Sequence, residues 1–474
     1  MKDLPYDFWE PVIGLEIHIQ LNTKTKLFSS APNHFGDEPN TNISNTCTGQ
    51  PGTLPLLNEE AVKKAVLFGL AIKGKIAKRS YFERKSYFYP DMPRNFQITQ
   101  KDTPLINGGK ITTIVNGKKK KFQINHAHLE DDAGMLKHFT TFTGIDFNRA
   151  GVPLIEIVSK PDLHSPEDAV SYTMAIRTLV RWLNISDGNM ENGSLRVDAN
   201  VSVRPKGSKI LRGKTEIKNL NSFNFLKMAL QAEIRRQIAL YSENMDKEIV
   251  ISGSYRWDVA SKKTILMREK ESVEDYRYFP EPDIMPLILS KDFIDTTKKN
   301  LPELPGERLS RYVKQYHLSL TQAFTLVNEK ELATYFEQAV FYCSNPKSLY
   351  NWLFISKNLP SPQNMATLVN LLEDEKITST TAKQILNEML SFPEKTPDLI
   401  LKENPQYLPI NDNKIIEKII EQTMQENLHI VEDYKKGIKK AFDCLMGQAM
   451  KLSQNRIPGQ ILRNLMLKKL KSMV

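Results

Sequence analysis

Val12-Ile-Gly-Leu-Glu-Ile-His-Ile-Gln-Leu21 decides how the chain is read. Leu15, Ile17, Ile19 and Leu21 alternate with Glu16, His18 and Gln20. That is the period of a β-strand, in which alternate residues share a face. One face is aliphatic. The other carries a carboxylate, an imidazole and an amide in a row.

Two more segments repeat the pattern, and a third adds a lone carboxylate. In Ser194–Arg204, Leu195, Val197, Ala199, Val201 and Val203 alternate with Arg196, Asp198, Asn200, Ser202 and Arg204. If Asn125–Asp132 is extended, His126, His128, Glu130 and Asp132 share a face. Val152–Val158 is apolar except for Glu156, a carboxylate that needs a metal, an arginine or a proton if it is buried. Most alternating polar faces simply meet water, and one such strand would carry no more than that. A solvated face, however, favours Lys, Glu, Thr and Ser. These faces are rich in His, Asn, Asp and Arg, and lysine is absent from all four. They read as one sheet whose polar side is a working floor.

Carboxylates with a histidine or amide, and no cysteine pairs, suit a hard cation such as Mg²⁺ better than zinc. Nearby basic residues would neutralise phosphate oxygens. The floor therefore points to phosphoryl transfer or metal-assisted phosphate chemistry. Gly69–Lys75 has the GxxxxGK spacing, but Ile76 stands where Ser or Thr is required and the segment ends a helix. Gly207–Thr215 has one residue too many, so any ATP is held without a P-loop. Cys47 has no nearby base in sequence, Cys343 and Cys444 lie in helical patterns and read as core, and no zinc spacing or GxSxG elbow occurs. Glutamine hydrolysis is not expected from this chain.

The 474 residues exceed one domain's worth, with 40% hydrophobic and 25% charged residues. The N-terminus lacks an apolar h-region, and no apolar run is long enough to span a bilayer. With three scattered cysteines, a cytoplasmic protein is expected. The net charge is +10, and nearly all of it lies after Tyr434. There, Lys435, Lys436, Lys439, Lys440, Lys451, Arg456, Arg463, Lys468, Lys469 and Lys471 stand against Asp443 alone. Such a tail attracts a polyanion by releasing counterions. A solvated helix face is the plainer reading.

Asn116-Gly117 between Ile111–Val115 and Phe122–Ile124 predicts a type I′ hairpin. Lys118–Lys121 then form a charged strand edge. Asn58 caps a helix over Glu59–Lys73, and Ser165-Pro166-Glu167-Asp168 opens one to about Leu183. Ser222 opens another through Tyr241. After Phe293 the apolar spacing is helical, and Leu301–Arg308 reads as a proline-rich hinge. The fold class is α+β: a mixed domain over 1–293, a helical domain over 294–405 and a basic helical tail over 406–474.

Seven blocks carry a family resemblance: Val12–Gln20, Arg84–Asp91, His128–Gly134, Gly151–Val158, Gly193–Asn200, Lys218–Phe223 and Asp275–Asp283. In order and composition they resemble the signature blocks of the B subunits of the aspartyl/glutamyl-tRNA amidotransferase family, and the helical half, including Val431–Gly437, does too. The resemblance implies a cradle domain of the glutamine-synthetase-like catalytic fold. It implies ATP and Mg²⁺, and phosphorylation of the side-chain carboxylate of Glu-tRNA(Gln) or Asp-tRNA(Asn). Ammonia would come from a separate amidase, the A subunit, with a small C subunit completing a heterotrimer. Residue by residue it implies Glu16, His18, Glu130 and Glu156 as the metal-centred set, with Asp131 beside them. Asp198 joins Glu16, His18, Glu130 and Glu156 as catalytic, while Arg196 and Asn200 contribute to the nucleotide site. Lys85, Tyr87, Arg268 and Arg277 meet nucleotide or the tRNA acceptor end. The tail grips tRNA through Lys435, Lys436, Lys439, Lys440, Lys451, Arg456 and Arg463. Some members hold structural zinc in a cysteine cluster near Cys47; with Cys47 alone, no zinc is expected here. A Mg²⁺-dependent RNA phosphohydrolase and a non-catalytic tRNA-binding scaffold remain as rival readings.

Overall fold

The computed structural model describes residues 6–218, 220–243, 250–269 and 276–472. Its contacts divide into two compact units, Met1–Ser310 and Arg311–Val474.

Among the described residues, the first unit is built on a 10-stranded sheet. Its centre runs Leu195–Pro205, Trp9–Gln20, Pro153–Ser159, Lys118–Asp131, each pair antiparallel. Three of these show the alternation legible in the sequence, and Pro153–Ser159 is the apolar run around Glu156. Thr215–Lys218 extends the sheet beyond Leu195–Pro205 and pairs in parallel with Gly253–Asp258. The register is fixed because a slip of one residue would turn every aliphatic side chain to the wrong face.

Helices Glu59–Ala71, Pro166–Trp182 and Phe223–Glu243 cover the aliphatic face. Leu15, Ile17, Ile19, Leu129, Ile155, Ile157, Val197 and Ala199 share one buried cluster with Val66, Ile176, Val180, Leu226 and Leu230. Burial of this face is the main stabilising term, at about 25 cal/mol per Å² of apolar surface removed from water. It leaves the opposite face free for polar side chains.

The local signals act as read. The Asn58 side chain accepts from the backbone N–H of Glu60 (2.9 Å) and Ala61 (3.3 Å). Ser165 Oγ accepts from Asp168 N at 3.1 Å, with Pro166 in the first turn. Ser222 Oγ accepts from Phe225 N at 3.1 Å. Val115 pairs with Lys118 across Asn116 (φ 49°) and Gly117 (φ 75°), the positive dihedrals that a type I′ turn demands. Lys118–Lys121 are exposed, and Lys120 reaches the Asp168 carboxylate at 2.7 Å.

The described part of the second unit is helical, from Leu320–Asn328 to Gly459–Lys471. Ile416, Ile420, Met424, Phe442, Leu445, Leu462 and Met466 form a buried cluster that ties Asn413–Glu426, Lys439–Leu452 and Gly459–Lys471 together. The stretch Leu301–Arg308 is not a hinge throughout. Pro305 opens the helix Pro305–Gln315, because proline's fixed φ and missing N–H cost nothing in a first turn. No described helix is long and apolar enough to cross a membrane.

Candidate functional site

Strand pairing assembles the site in transverse rows. Arg196 pairs with His18, His18 with Glu156, and Glu156 with His128. This places guanidinium, imidazole, carboxylate and imidazole side by side on four strands. The neighbouring row starts Asp198–Glu16. Glu130 enters from the Lys118–Asp131 strand, one alternation beyond His128.

His18 Nε2 lies 3.3 Å from Glu156 and 3.4 Å from Glu130. His128 Nε2 lies 3.8 Å from each of the same two carboxylates. Burial disfavours the His18 cation, but its hydrogen bond to Glu156 and the charges of Glu156 and Glu130 prevail, and its pKa is pushed up to about 9. His128 is raised for the same reasons, against its own burial. Burial pushes the Glu156 carboxyl up, yet His128, His18 and Lys85 hold it well below the usual carboxylate range. The carboxylate that stood alone in an apolar run thus meets two imidazoles and an ammonium.

One donor atom each from His18, Glu130 and Glu156 fall within 4.8 Å of one another. A partly buried trio of two carboxylates and one imidazole, all on rigid strands, fits a divalent cation. In this structure the two carboxylates lie against His18 and His128, and a metal ion on His18 Nε2 would displace that nitrogen's proton.

Glu16 stands outside that trio. It accepts from Asn200 Nδ2 at 3.0 Å. Burial, then the charges of Glu156, Glu216 and Asp198, raise its pKa. It lines a cavity of about 310 Å³ together with Asn200, Ser202, Arg212 and Lys214. Asp198 is held by Lys218 at 2.9 Å, and Lys218 also reaches Glu216 at 2.7 Å.

Asp131 is the clear correction. Alternation turns it away from Glu130, where Arg94 and the N–H of Ile98 (2.9 Å) bind its carboxylate. It is an anchor for the strand Phe96–Thr99 and is not brought to the trio. Asp132, on the floor side, takes hydrogen bonds from Gln20 (3.0 Å) and Arg196 (2.5 Å), with Arg149 at 3.7 Å. Alternation already puts Asp132 on this face in the sequence; Arg149, in a turn, gave no periodic signal.

Lys85 lies on the strand Glu83–Ser86, its ammonium 4.8 Å from the Tyr276 ring centre. Burial opposes its charge, but Tyr278, Glu130 and Glu156 hold it above the ordinary lysine value. Tyr87 stacks on Tyr89 with ring centres 4.9 Å apart. Arg277 is exposed, with φ 45°, between Tyr276 and Tyr278. The backbone of Arg268 belongs to the edge strand Lys263–Glu269; its side chain and that of Lys439 lie outside the described residues.

In the second unit Lys435, Lys436, Lys440, Lys451 and Arg463 are exposed. Arg463 covers the Phe442 ring at 5.1 Å, and Arg456 Nε donates to the Leu408 carbonyl at 3.1 Å.

Two family models match the chain. Residues 11–295 match the model of the GatB/GatE catalytic domain, and residues 334–470 match that of the GatB domain. The chain is 52% identical to the B subunit of the aspartyl/glutamyl-tRNA(Asn/Gln) amidotransferase of Protochlamydia amoebophila, covering 98% of this chain and 97% of that one. It is likewise 52% identical to the Chlamydia pneumoniae protein of that name, over 98% of each chain. The first unit therefore carries a catalytic domain of the GatB/GatE class. The chain belongs to the family of aspartyl/glutamyl-tRNA(Asn/Gln) amidotransferase B subunits.

Proposed function

We propose that this chain is the substrate-activating subunit of a glutamine-dependent, tRNA-dependent amidotransferase, acting on Glu-tRNA(Gln), Asp-tRNA(Asn) or both. Family membership supports the reaction class, ATP dependence and assembly with other subunits. The observation that carries the assignment to this chain's own residues is the His18–Glu130–Glu156 trio on the sheet floor.

A carboxylate is a poor acyl donor, because its leaving group would be oxide. Phosphorylation by ATP turns that oxygen into a good leaving group, which ammonia then displaces. His18, Glu130 and Glu156 would hold Mg²⁺, which would offset the repulsion between two anions. Arg196 and Lys85 supply fixed positive charge beside the trio. Glu16, Asn200 and the adjoining cavity offer polar contacts for the nucleotide, with Asp198 positioned by Lys218. Tyr87, Arg268 and Arg277 are assigned to nucleotide or acceptor-end contacts. The divisions 1–293, 294–405 and 406–474 serve as a glutamine-synthetase-like cradle, a helical connector and a tRNA-gripping tail. The amidase A subunit supplies ammonia and the small C subunit completes the heterotrimer. The floor's convergent, mutually paired groups weigh against a scaffold role, and family membership against RNA hydrolysis.

The test is reconstitution with both of those proteins, glutamine, ATP, Mg²⁺ and each mischarged tRNA, reading the amino acid recovered after deacylation. ATP-dependent conversion to the amide that vanishes with Glu156→Gln, tRNA binding being retained, is expected. Conversion unaffected by that substitution would overturn the assignment.

A further inference from the structure

Asp132 is 3% exposed and stands outside the metal trio, yet it draws the floor's donors to one oxygen. Gln20 Nε2 donates to its Oδ2 at 3.0 Å, and Arg196 Nη2 donates to the same oxygen at 2.5 Å. Arg149 Nε stands 3.7 Å from that oxygen, while its own hydrogen bonds go to the carbonyls of Ala133 (2.9 Å) and Gly134 (2.5 Å). The Asp132 backbone is fixed as well. Its N–H donates to the Val152 carbonyl and its carbonyl accepts from Gly151 N, both at 2.9 Å. Burial alone would raise the carboxyl pKa, but Arg196 and Arg149 hold it below the ordinary value, so the anchor stays ionised.

Two strands, Trp9–Gln20 and Pro153–Ser159, lie between the Arg196 strand and the one that leads into Asp132. The Arg196 side chain is therefore drawn across the floor, starting beside its cross-strand neighbour His18. Among the described residues Asp132 is its only hydrogen-bond partner, and the side chain stays 32% exposed. A buried ion pair adds little net stability, so a strap between strands is a poor account of this one. Two guanidiniums against one carboxylate leave a positive charge over. Arg149 is tied to two carbonyls, so the charge that can meet a ligand is that of Arg196.

We propose that Asp132 is a positioning residue: it holds the Arg196 guanidinium by one nitrogen so that the open edge meets the oxygens of the phosphoryl group in transfer. This role rests on the phosphoryl transfer proposed for the floor. In that step an oxygen of the substrate carboxylate attacks the γ-phosphorus. An O–P bond forms as the bond to the β–γ bridging oxygen breaks, and ADP leaves with the electron pair. A guanidinium already in place meets the charge on the transferring oxygens without reorganising. Its planar fork has donors enough for the anchor and the phosphate together, which the compact ammonium of a lysine lacks in fixed directions.

Steady-state amidation by the enzyme reconstituted with its partner subunits tests this. Asp132→Asn should lower kcat about 100-fold, the cost of a catalytic group misplaced by about an ångström, with KM for ATP and for tRNA changed less than about threefold. Arg196→Met should cost as much. Adding Asp132→Asn to it should cost less than about threefold more, because the anchor acts only through the guanidinium. Arg196→Lys keeps the charge on a half-exposed side chain and should still lose nearly as much as Arg196→Met. Losses that multiply in the double variant overturn the proposal, as does a raised KM for ATP with kcat unchanged. Should Asp132→Asn not fold, Arg196→Lys decides, and a kcat within about threefold of the unsubstituted enzyme overturns it. Glu156→Gln, run alongside, separates the two readings. Amidation that survives Glu156→Gln removes the phosphoryl-transfer reading and the role of Asp132 with it. Loss there with full activity in Asp132→Asn removes the role of Asp132 alone.

Discussion

His18 and Glu156 sit directly opposite each other on antiparallel strands, with Nε2 3.3 Å from the carboxylate. The aliphatic neighbours Ile17 and Ile157 pair beside them and face the buried core. The backbone that buries the hydrophobic face therefore also holds the site, and little side-chain freedom is left to lose on binding.

Glu156→Gln removes the anion that outweighs burial at His18. The His18 pKa should fall from about 9 toward or below the ordinary histidine value, read from imidazole chemical shifts during a pH titration. An unmoved titration would show that Glu130 alone sustains the imidazolium.

Cation binding and the His18 proton compete for one nitrogen. Mn²⁺ affinity should rise with pH until His18 loses its proton near pH 9, with proton release on binding below that pH. Calorimetry in buffers of different ionisation enthalpy measures the release. Identical heats in all buffers would separate His18 from the metal ligands.

Buried Glu233 accepts from Arg236 (2.7 Å), Gln237 (2.8 Å), Thr215 (2.7 Å) and Thr264 (2.6 Å). Burial raises its pKa, but Arg236, Thr264 and Gln237 bring it below the ordinary carboxylate value. A depressed folded pKa adds stability above the unfolded value, and that stability is lost as pH falls through the folded one. Glu233→Gln should cost about 2 kcal/mol near neutrality, after allowing for the partial exposure of Arg236, and less in acid. Urea unfolding at pH 7 and pH 4 measures both; an equal cost at the two values would point to packing rather than charge.

Removing Tyr434 to Val474 would strip Phe442, Leu445, Leu462 and Met466 from the core they share with Ile416 and Ile420. Charge reversal is the cleaner test of the tail. Replacing Lys435, Lys436, Lys440, Lys451 and Arg463 by glutamate should weaken tRNA binding. It should also flatten the dependence of log Kd on log salt by about 0.9 for each phosphate that is no longer neutralised, while kcat at saturating tRNA holds. An unchanged salt slope would place the tRNA elsewhere.

Period-two alternation in Val12–Leu21, Asn125–Asp132 and Ser194–Arg204 is enough to define three strands and their two faces, because one buried face tolerates no slip, and the apolar run Val152–Val158 around Glu156 marks the fourth. The caps at Asn58, Ser165 and Ser222 and the turn at Asn116-Gly117 are equally local and equally legible. Strand order is not. Only the folded sheet seats Glu156 between His18 and His128, brings Lys85 in from another sheet, and turns Asp131 away to Arg94. The Asp132–Arg149 contact likewise needs the folded chain, because Arg149 sits in a turn without period. Alternation records which face a residue takes; which partner it meets there depends on strand order and loop closure, which are properties of the whole chain.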